Sequence, residues 1–91
     1  MRIWFLYLIR CKNGALYTGI TTDVERRFEE HKSNDKKGAK YLRGKAPLNL
    51  VMKKKLGNKS MALKIEKKVK KLSKIKKEML IEGKISFLND L

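Results

Sequence analysis

The chain has 91 residues with 24 basic and 9 acidic side chains, so its formal net charge is 24 − 9 = +15. This length predicts one domain over residues 1–91, with a core over about residues 3–82, and excludes a deep enclosed cofactor pocket. One cysteine, Cys11, excludes an intrachain disulfide framework, and one cysteine with one histidine cannot form a zinc site. The longest apolar run, residues 3–9, is too short to span a membrane. We therefore expect a small, soluble, cytoplasmic protein.

The excess positive charge is confined to one segment of the chain. Residues 1–35 carry six bases and five acids, and residues 78–91 carry one base and three acids. Residues 36–77 carry 17 bases and a single acid, Glu66, which gives a net charge of +16. Because such a segment repels itself, the pattern favours a polyanionic partner, with nucleic acid ahead of an anionic membrane or a merely solvated surface.

The first 20 residues predict a β-hairpin. Residues 3–11 carry apolar side chains on both alternating faces, which is typical of a central strand covered on both sides. Asn13-Gly14 predicts a tight turn, because this pair readily adopts positive φ. Residues 15–20 then form the partner strand, in which Gly19 indicates the close approach of a ligand or of another part of the backbone.

The pairing of these two strands decides whether Tyr7 and Tyr17 share a face of the sheet. A two-residue loop at the turn would pair Tyr7 with Ile20 and Arg10 with Tyr17. The two rings would then be offset by about three positions, and a slip of the turn or a bulge would be needed to bring them onto one face.

A first helix is predicted from about Val24 to Ser33. Thr22 is the expected N-cap, and Glu25 completes a capping box with it. Val24, Phe28 and His31 fall at helical spacing and share one face of this helix, with Arg27 beside them.

The second half of the chain predicts a basic loop, one strand and two helices. The loop spans residues 33–47, the strand 48–55 and the helices 61–72 and 73–81, with Ser60 capping the first helix and Gly83 ending the second. We expect the helices to bury stripes formed by Met61, Ile65, Val69 and Leu72 and by Ile75, Met79 and Leu80. The order ββαβαα predicts an α+β fold, with a three-stranded antiparallel sheet flanked by helices.

Four side chains of the hairpin and the first helix could carry chemistry. Two phenols beside a basic groove, those of Tyr7 and Tyr17, could orient or deprotonate a water molecule. The other interpretation is that both are core tyrosines whose hydroxyls have partners within the protein. Arg27 and His31 share a helix face and could join them. Spacing alone favours a partly exposed His31 and an ion pair between Arg27 and a nearby acid.

Glu66 is the most informative single residue, since it is the only acid between Lys36 and Lys77. It lies at the border of the apolar stripe of its predicted helix. A lone carboxylate beside a phosphate groove could hold one Mg²⁺, which binds through one or two carboxylates together with water and substrate phosphate. The other interpretation is an ion pair with Lys70, one turn later, worth only about 0.3 kcal/mol.

Taken together, these residues resemble the GIY-YIG nuclease family. The family's two motif tyrosines match Tyr7 and Tyr17, and its metal-binding glutamate matches Glu66. The continuation of the family motif, in the expected order and spacing, matches Gly19, Thr21, Arg27 and His31. The resemblance covers about residues 3–82. The sequence is similar to the small stand-alone YhbQ-like bacterial subfamily and also to the nuclease domain of structure-specific junction endonucleases.

The resemblance implies a small GIY-YIG domain that hydrolyses DNA phosphodiester bonds with one Mg²⁺ or Mn²⁺ ion, in DNA repair or recombination. Glu66 would hold the metal, and Tyr17, assisted by Tyr7 or His31, would take a proton from the attacking water. Arg27 would neutralise charge on the phosphate oxygens. Gly19 and Thr21 would be structural residues of the motif.

The expected substrate is branched or single-stranded DNA, while RNA or a partner protein stays open. The basic segment would bind it through Lys36, Lys37, Lys40, Arg43, Lys45, Lys67 and Lys70. Two alternatives to a nuclease also stay open. One is a nucleic-acid-binding module that keeps the fold without turnover, and the other is a basic RNA- or ribosome-associated protein.

Overall fold

The structure, a computed structural model, describes residues 2–33 and 38–85. Its three strands are β1 (Trp4–Arg10), β2 (Leu16–Thr21) and β3 (Asn49–Gly57), and they form one antiparallel sheet in the order β2-β1-β3. Its helices are α1 (Val24–Lys32), α2 (Lys59–Lys70) and α3 (Lys74–Ile81), with a short 3₁₀ helix over Lys40–Leu42. The predicted α+β fold and the predicted order ββαβαα are confirmed. Within the described residues, no helix is long and apolar enough to cross a membrane.

The central strand β1 is covered on both sides, as its two apolar faces predict. Leu6 and Leu8 point to one face, which we call the leucine face, and they pack with Val69 of α2 and Leu80 of α3. The intervening Tyr7 points to the opposite face, which we call the tyrosine face. That face is covered by α1 and by the segment that contains the 3₁₀ helix, through side chains that include Val24, Phe28, Ala39 and Leu42.

The observed register brings the two tyrosines onto one face. Tyr7 pairs with Gly19 and Ile9 pairs with Tyr17, so the predicted pairing of Tyr7 with Ile20 and of Arg10 with Tyr17 is wrong by one position. The reason is the hairpin loop, which has three residues instead of two. Cys11 N–H donates to the Ala15 carbonyl at 2.9 Å, and Gly14 N–H donates back to the Cys11 carbonyl at 2.9 Å. Gly14, at φ +86°, supplies the left-handed residue that such a loop requires.

Both of the first two helices have a different N-cap residue from the one predicted. The N-cap of α1 is Asp23, whose carboxylate accepts from Arg26 N–H at 3.1 Å, and not Thr22. The N-cap of α2 is Asn58, whose side-chain oxygen accepts from Met61 N–H at 2.8 Å, so α2 starts earlier than a Ser60 cap would allow. Serine, threonine, aspartate and asparagine all cap well, and local backbone geometry decides among neighbours.

The apolar stripes of α2 and α3 are narrower than predicted. Met61 is 50% exposed and Ile75 is 74% exposed, so neither belongs to the core. Ala62 is fully buried in α2 instead, because at helical spacing it lies on the same face as Ile65 and Val69. At the C-terminal end, Ile85 packs against the leucine face, and the rest of the predicted tail lies outside the described residues.

Leu8→Ala should destabilise the fold. Leu8 is fully buried on the leucine face, and removing its side chain leaves a cavity that costs about 2–5 kcal/mol of unfolding free energy. Chemical denaturation measures this loss. The matched control is Leu63→Ala on α2, where the side chain is 48% exposed and the expected change is within about 0.5 kcal/mol. Equal losses for the two variants would contradict the observed burial.

Candidate active site

Gly19 makes room for the ring of Tyr7. The two residues are partners across β1 and β2, and both are buried. A Cβ atom at Gly19 would come within 2.9 Å of Tyr7 Cε1 and closer still to the hydroxyl end of the ring. A close approach at Gly19 was predicted for a ligand or for another part of the backbone, but the approaching group is the Tyr7 side chain.

The Tyr7 hydroxyl is hydrogen-bonded to a buried histidine. Its oxygen lies 2.9 Å from His31 Nε2, and His31 Nδ1 accepts from the backbone N–H of Ala39 at 3.1 Å. Because a backbone N–H can only donate, Nδ1 must carry a lone pair, and in a neutral ring the proton is then on Nε2. We therefore assign the bond as Nε2–H donating to the Tyr7 oxygen.

Two effects keep His31 neutral. Burial, together with the nearby positive charge of Arg27, lowers the pKa of His31 to about 4. The Glu30 carboxylate raises the pKa by less than Arg27 lowers it. At neutral pH the ring is thus uncharged, with both nitrogens engaged and only 3% of the residue exposed. The prediction of a partly exposed His31 from spacing alone is wrong, because α1 turns His31 inward onto the tyrosine face.

Two aromatic rings, those of Tyr17 and His31, pack beside the Tyr7 ring, and a third, that of Tyr41, packs on Tyr17. Tyr17 lies 6.3 Å from Tyr7 and 5.5 Å from His31 between ring centroids, and its contact with His31 is edge-to-face. On the surface, Tyr17 stacks with Tyr41 at 5.9 Å and an interplanar angle of 25°. Tyr17 is half-buried, so its phenol lies between the buried pair and the surface.

Charged groups act on Tyr7 in opposite directions. Burial raises the pKa of Tyr7 well above its usual value, and the neighbouring Tyr17 and the Glu66 carboxylate raise it too. Arg27 lowers it through its charge and a side-chain hydrogen bond. Arg27 also forms an ion pair with Glu30 at 2.9 Å, as the spacing allowed. The guanidinium thus belongs both to a helix ion pair and to the surroundings of the Tyr7 hydroxyl.

Glu66, the predicted metal ligand, has a side chain that is only 18% exposed. Its carboxylate forms the ion pair with Lys70 that the spacing allowed, at an N···O distance of 3.5 Å, longer than an ordinary N–H···O hydrogen bond. No cluster of three or more histidine, cysteine, aspartate or glutamate residues occurs in ranges 2–33 and 38–85. A divalent ion would therefore bind one carboxylate and complete its coordination with water and phosphate, an arrangement that suits Mg²⁺.

The predicted basic contacts are dispersed around this centre. Lys70 lies beside Glu66, and Lys45 lies over the Tyr41 ring. Lys36 and Lys37 lie outside the described residues. The remaining predicted contacts, Lys40, Arg43 and Lys67, are exposed. Sequence reasoning did not select Tyr41, whose only signal was an aromatic residue within a basic loop.

The family profile described as the GIY-YIG catalytic domain matches residues 3–79 of the chain. The chain is 53% identical over 87 residues to the UPF0213 protein of Cronobacter sakazakii, covering 96% of this chain and 90% of that protein. It is 56% identical over 81 residues to the UPF0213 protein YhbQ of Escherichia coli strain K12, covering 89% and 79% respectively. The names of these relatives specify no reaction.

A solved structure has the same fold. It is the solution NMR structure of the UPF0213 protein BH0048 from Bacillus halodurans, which is 45% identical to this chain. The match has a TM-score of 0.57 and covers 90% of this chain and 85% of that one. The sheet order and the helices that position Tyr7, Tyr17 and His31 therefore belong to a fold that a relative shares.

Acid should destabilise the protein through His31. Histidine has a pKa of ~6.5 in an unfolded chain, whereas burial lowers the pKa of His31 to about 4 in the folded state. Above pH 6.5 both states are neutral and the full stability is present. Between pH 6.5 and 4 the unfolded state binds a proton that the folded state does not. The free energy of unfolding should therefore fall as the pH falls, by up to ~3 kcal/mol.

The control for this titration is His31→Gln, which cannot gain the proton. Urea denaturation at a series of pH values should give a flatter stability profile for this variant between pH 6.5 and 5, where most carboxylates stay ionised. Parallel profiles for the wild-type protein and the variant would contradict a buried, neutral imidazole.

Proposed function

The chain belongs to the GIY-YIG family, and on that premise we propose that it is a metal-dependent endonuclease that hydrolyses DNA phosphodiester bonds, acting in DNA repair or recombination. The observation that carries the proposal is the surroundings of one buried hydroxyl. His31 bonds to Tyr7, Tyr17 packs beside it, and Arg27 and Glu66 both act on its pKa. These are the residue types that phosphodiester hydrolysis needs: phenols, a cation and a carboxylate.

Glu66 would hold the metal, Mg²⁺ or Mn²⁺. Its partly buried carboxylate would bind the ion, which would complete its coordination with water and substrate phosphate. When bound, such an ion draws charge from the scissile phosphate and from the leaving oxygen. The excess of cations near Glu66 favours the approach of a phosphate backbone to this carboxylate.

Arg27 would neutralise the phosphate during the reaction. Its guanidinium is held by Glu30 at 2.9 Å, and the side chain keeps 31% of its surface exposed. A cation fixed before the substrate arrives need not reorganise as charge develops on the phosphate oxygens. Such preorganised groups supply several kcal/mol of transition-state stabilisation, of the order of 3 kcal/mol each.

The tyrosines and the histidine would divide the proton transfers. Both nitrogens of His31 are engaged and its ring is buried, which supports a positioning role and leaves it unavailable as the base. Tyr7 accepts from His31 and burial raises its pKa, so it keeps its own proton and would assist Tyr17, whose ring packs beside it. Tyr17, half-buried and nearer the surface, would then take the proton of the attacking water.

Two substitutions test this assignment through Mg²⁺-dependent nicking of branched, flapped or single-stranded DNA. Glu66→Gln removes the metal-binding charge and should abolish nicking. Arg27→Lys keeps the charge but loses the fixed guanidinium, and should lower the rate by about 100-fold. The rate of nicking is measured for each variant on an end-labelled oligonucleotide, and circular dichroism verifies folding.

The matched controls are Glu82→Gln, an exposed glutamate paired with Lys84, and Arg26→Lys, an exposed neighbour on α1. Both should nick at close to the wild-type rate. Full activity of Glu66→Gln would overturn the metal assignment. A wild-type protein that binds DNA but never nicks it would favour the binding module without turnover.

Affinity for DNA should fall steeply as salt rises. Each phosphate neutralised by a lysine or arginine contributes about −0.7 to the slope of log affinity against log salt on a single strand. About four contacts therefore predict a loss of roughly 50-fold between 50 and 200 mM salt. Fluorescence anisotropy with a labelled oligonucleotide measures the slope, and an unchanged affinity over this range would contradict a phosphate-binding surface.

A further inference from the structure

An open cleft of about 300 Å³ adjoins Tyr17. It lies at the β2 edge of the sheet, where side chains from both faces of the sheet meet. This volume falls at the lower end of the range typical of small-ligand sites. The cleft is lined by Leu16, Tyr17 and Thr18 of β2, Tyr41 of the 3₁₀ helix, Lys70 of α2 and Lys77 of α3.

Tyr41 gives the cleft an aromatic wall. The residue is 48% exposed, yet its ring is held in place by stacking on Tyr17. Lys45 restrains it further, since its ammonium lies 4.1 Å from the ring centroid and donates to the Tyr41 carbonyl at 2.7 Å. A fixed and exposed aromatic ring offers a nucleobase a surface for stacking at little entropic cost.

Two lysines give the cleft its charge. Lys70 and Lys77 line it, and none of its lining residues is acidic. Lys70 also connects the cleft to the proposed metal site, because its ammonium lies 3.5 Å from the Glu66 carboxylate. Tyr17 makes a second connection, since its ring packs against both Tyr41 and Tyr7. The cleft therefore adjoins the place where Glu66 would meet a phosphate.

We propose that this cleft binds one unpaired nucleotide of the DNA strand that is cut, with its base stacked on Tyr41 and its phosphate held by Lys70 and Lys77. This inference rests on the proposed nuclease function and specifies its substrate class. A base inside a continuous duplex is already stacked on both sides and paired, so it would have to lose pairing and stacking, at a cost in free energy, to reach Tyr41. The cleft therefore favours a substrate that offers an unpaired base, as in a flap, a branch point or a single strand.

Binding of the full chain to DNA without divalent metal tests the proposal, because no hydrolysis then interferes. Tyr41→Ala should weaken binding to a single-stranded oligonucleotide by roughly tenfold, while Tyr41→Phe should stay within about twofold of wild type. Binding to a blunt duplex of the same length should change little in either variant. Ile75→Ala, at an exposed residue of α3 outside the cleft, is the matched control.

A second measurement stays decisive even if Tyr41→Ala folds poorly. Lys77→Gln should reduce the slope of log affinity against log salt by about 0.7 on single-stranded DNA. Lys64→Gln, at an exposed lysine of α2 that does not line the cleft, should leave the slope unchanged. Equal slopes for the two variants would overturn the assignment of Lys77 to a phosphate.

The outcomes separate this proposal from the nuclease function on which it rests. Equal loss of single-stranded and duplex binding in Tyr41→Ala, or no loss in either, would overturn the nucleotide cleft. Nicking by the wild-type protein with binding that is independent of Tyr41 would keep the nuclease and reject the cleft. Binding that depends on Tyr41, without any nicking in Mg²⁺ or Mn²⁺, would keep the cleft as a binding site and reject the nuclease.

Discussion

A single imidazole joins three parts of the chain that are distant in sequence. His31 of α1 donates to the Tyr7 oxygen on the central strand and accepts from Ala39, just before the 3₁₀ helix. Burying a polar group costs less free energy when its hydrogen bonds are satisfied. The two hydrogen bonds of His31 therefore reduce the cost of burying its ring. The same ring therefore fixes the hydroxyl at the centre of the site and anchors the segment that presents Tyr41.

The second constraint is the separation between the neutral interior of the site and its charged margin. Burial holds His31 and Tyr7 in their uncharged forms, as their shifted pKa values indicate. Arg27, Glu66 and Lys70 are each partly exposed at its edge. Phosphate and metal bind by charge, whereas a proton donor must be held in one orientation. The fold provides both because Gly19 leaves room for the buried Tyr7 ring, whose hydroxyl bonds to His31.

The fold could be predicted from the sequence because its signals are local and strong. The alternation in β1, the Asn-Gly turn and the helical spacing of Val24, Phe28 and His31 each indicated the right element. The register of the hairpin could not be predicted, since Asn13-Gly14 occurs in loops of two and of three residues. Only the hydrogen bonds around Cys11 distinguish the two loops. The candidate site residues were selected by motif order. Tyr41 was not selected because it lies in an irregular segment, where no repeat of apolar residues indicates which side chains share a face.

Among the described residues, the strand β3 forms the edge of the sheet opposite β2, and Lys53, Lys54 and Lys55 are exposed along it. Consecutive ammonium groups on an unpaired edge keep a second copy of the chain from adding its own strand there. This repulsion keeps protein molecules apart only while the positive charge is not neutralised. Nucleic acid bound along the protein would neutralise that charge, so we expect molecules crowded on nucleic acid to aggregate through the β3 edge.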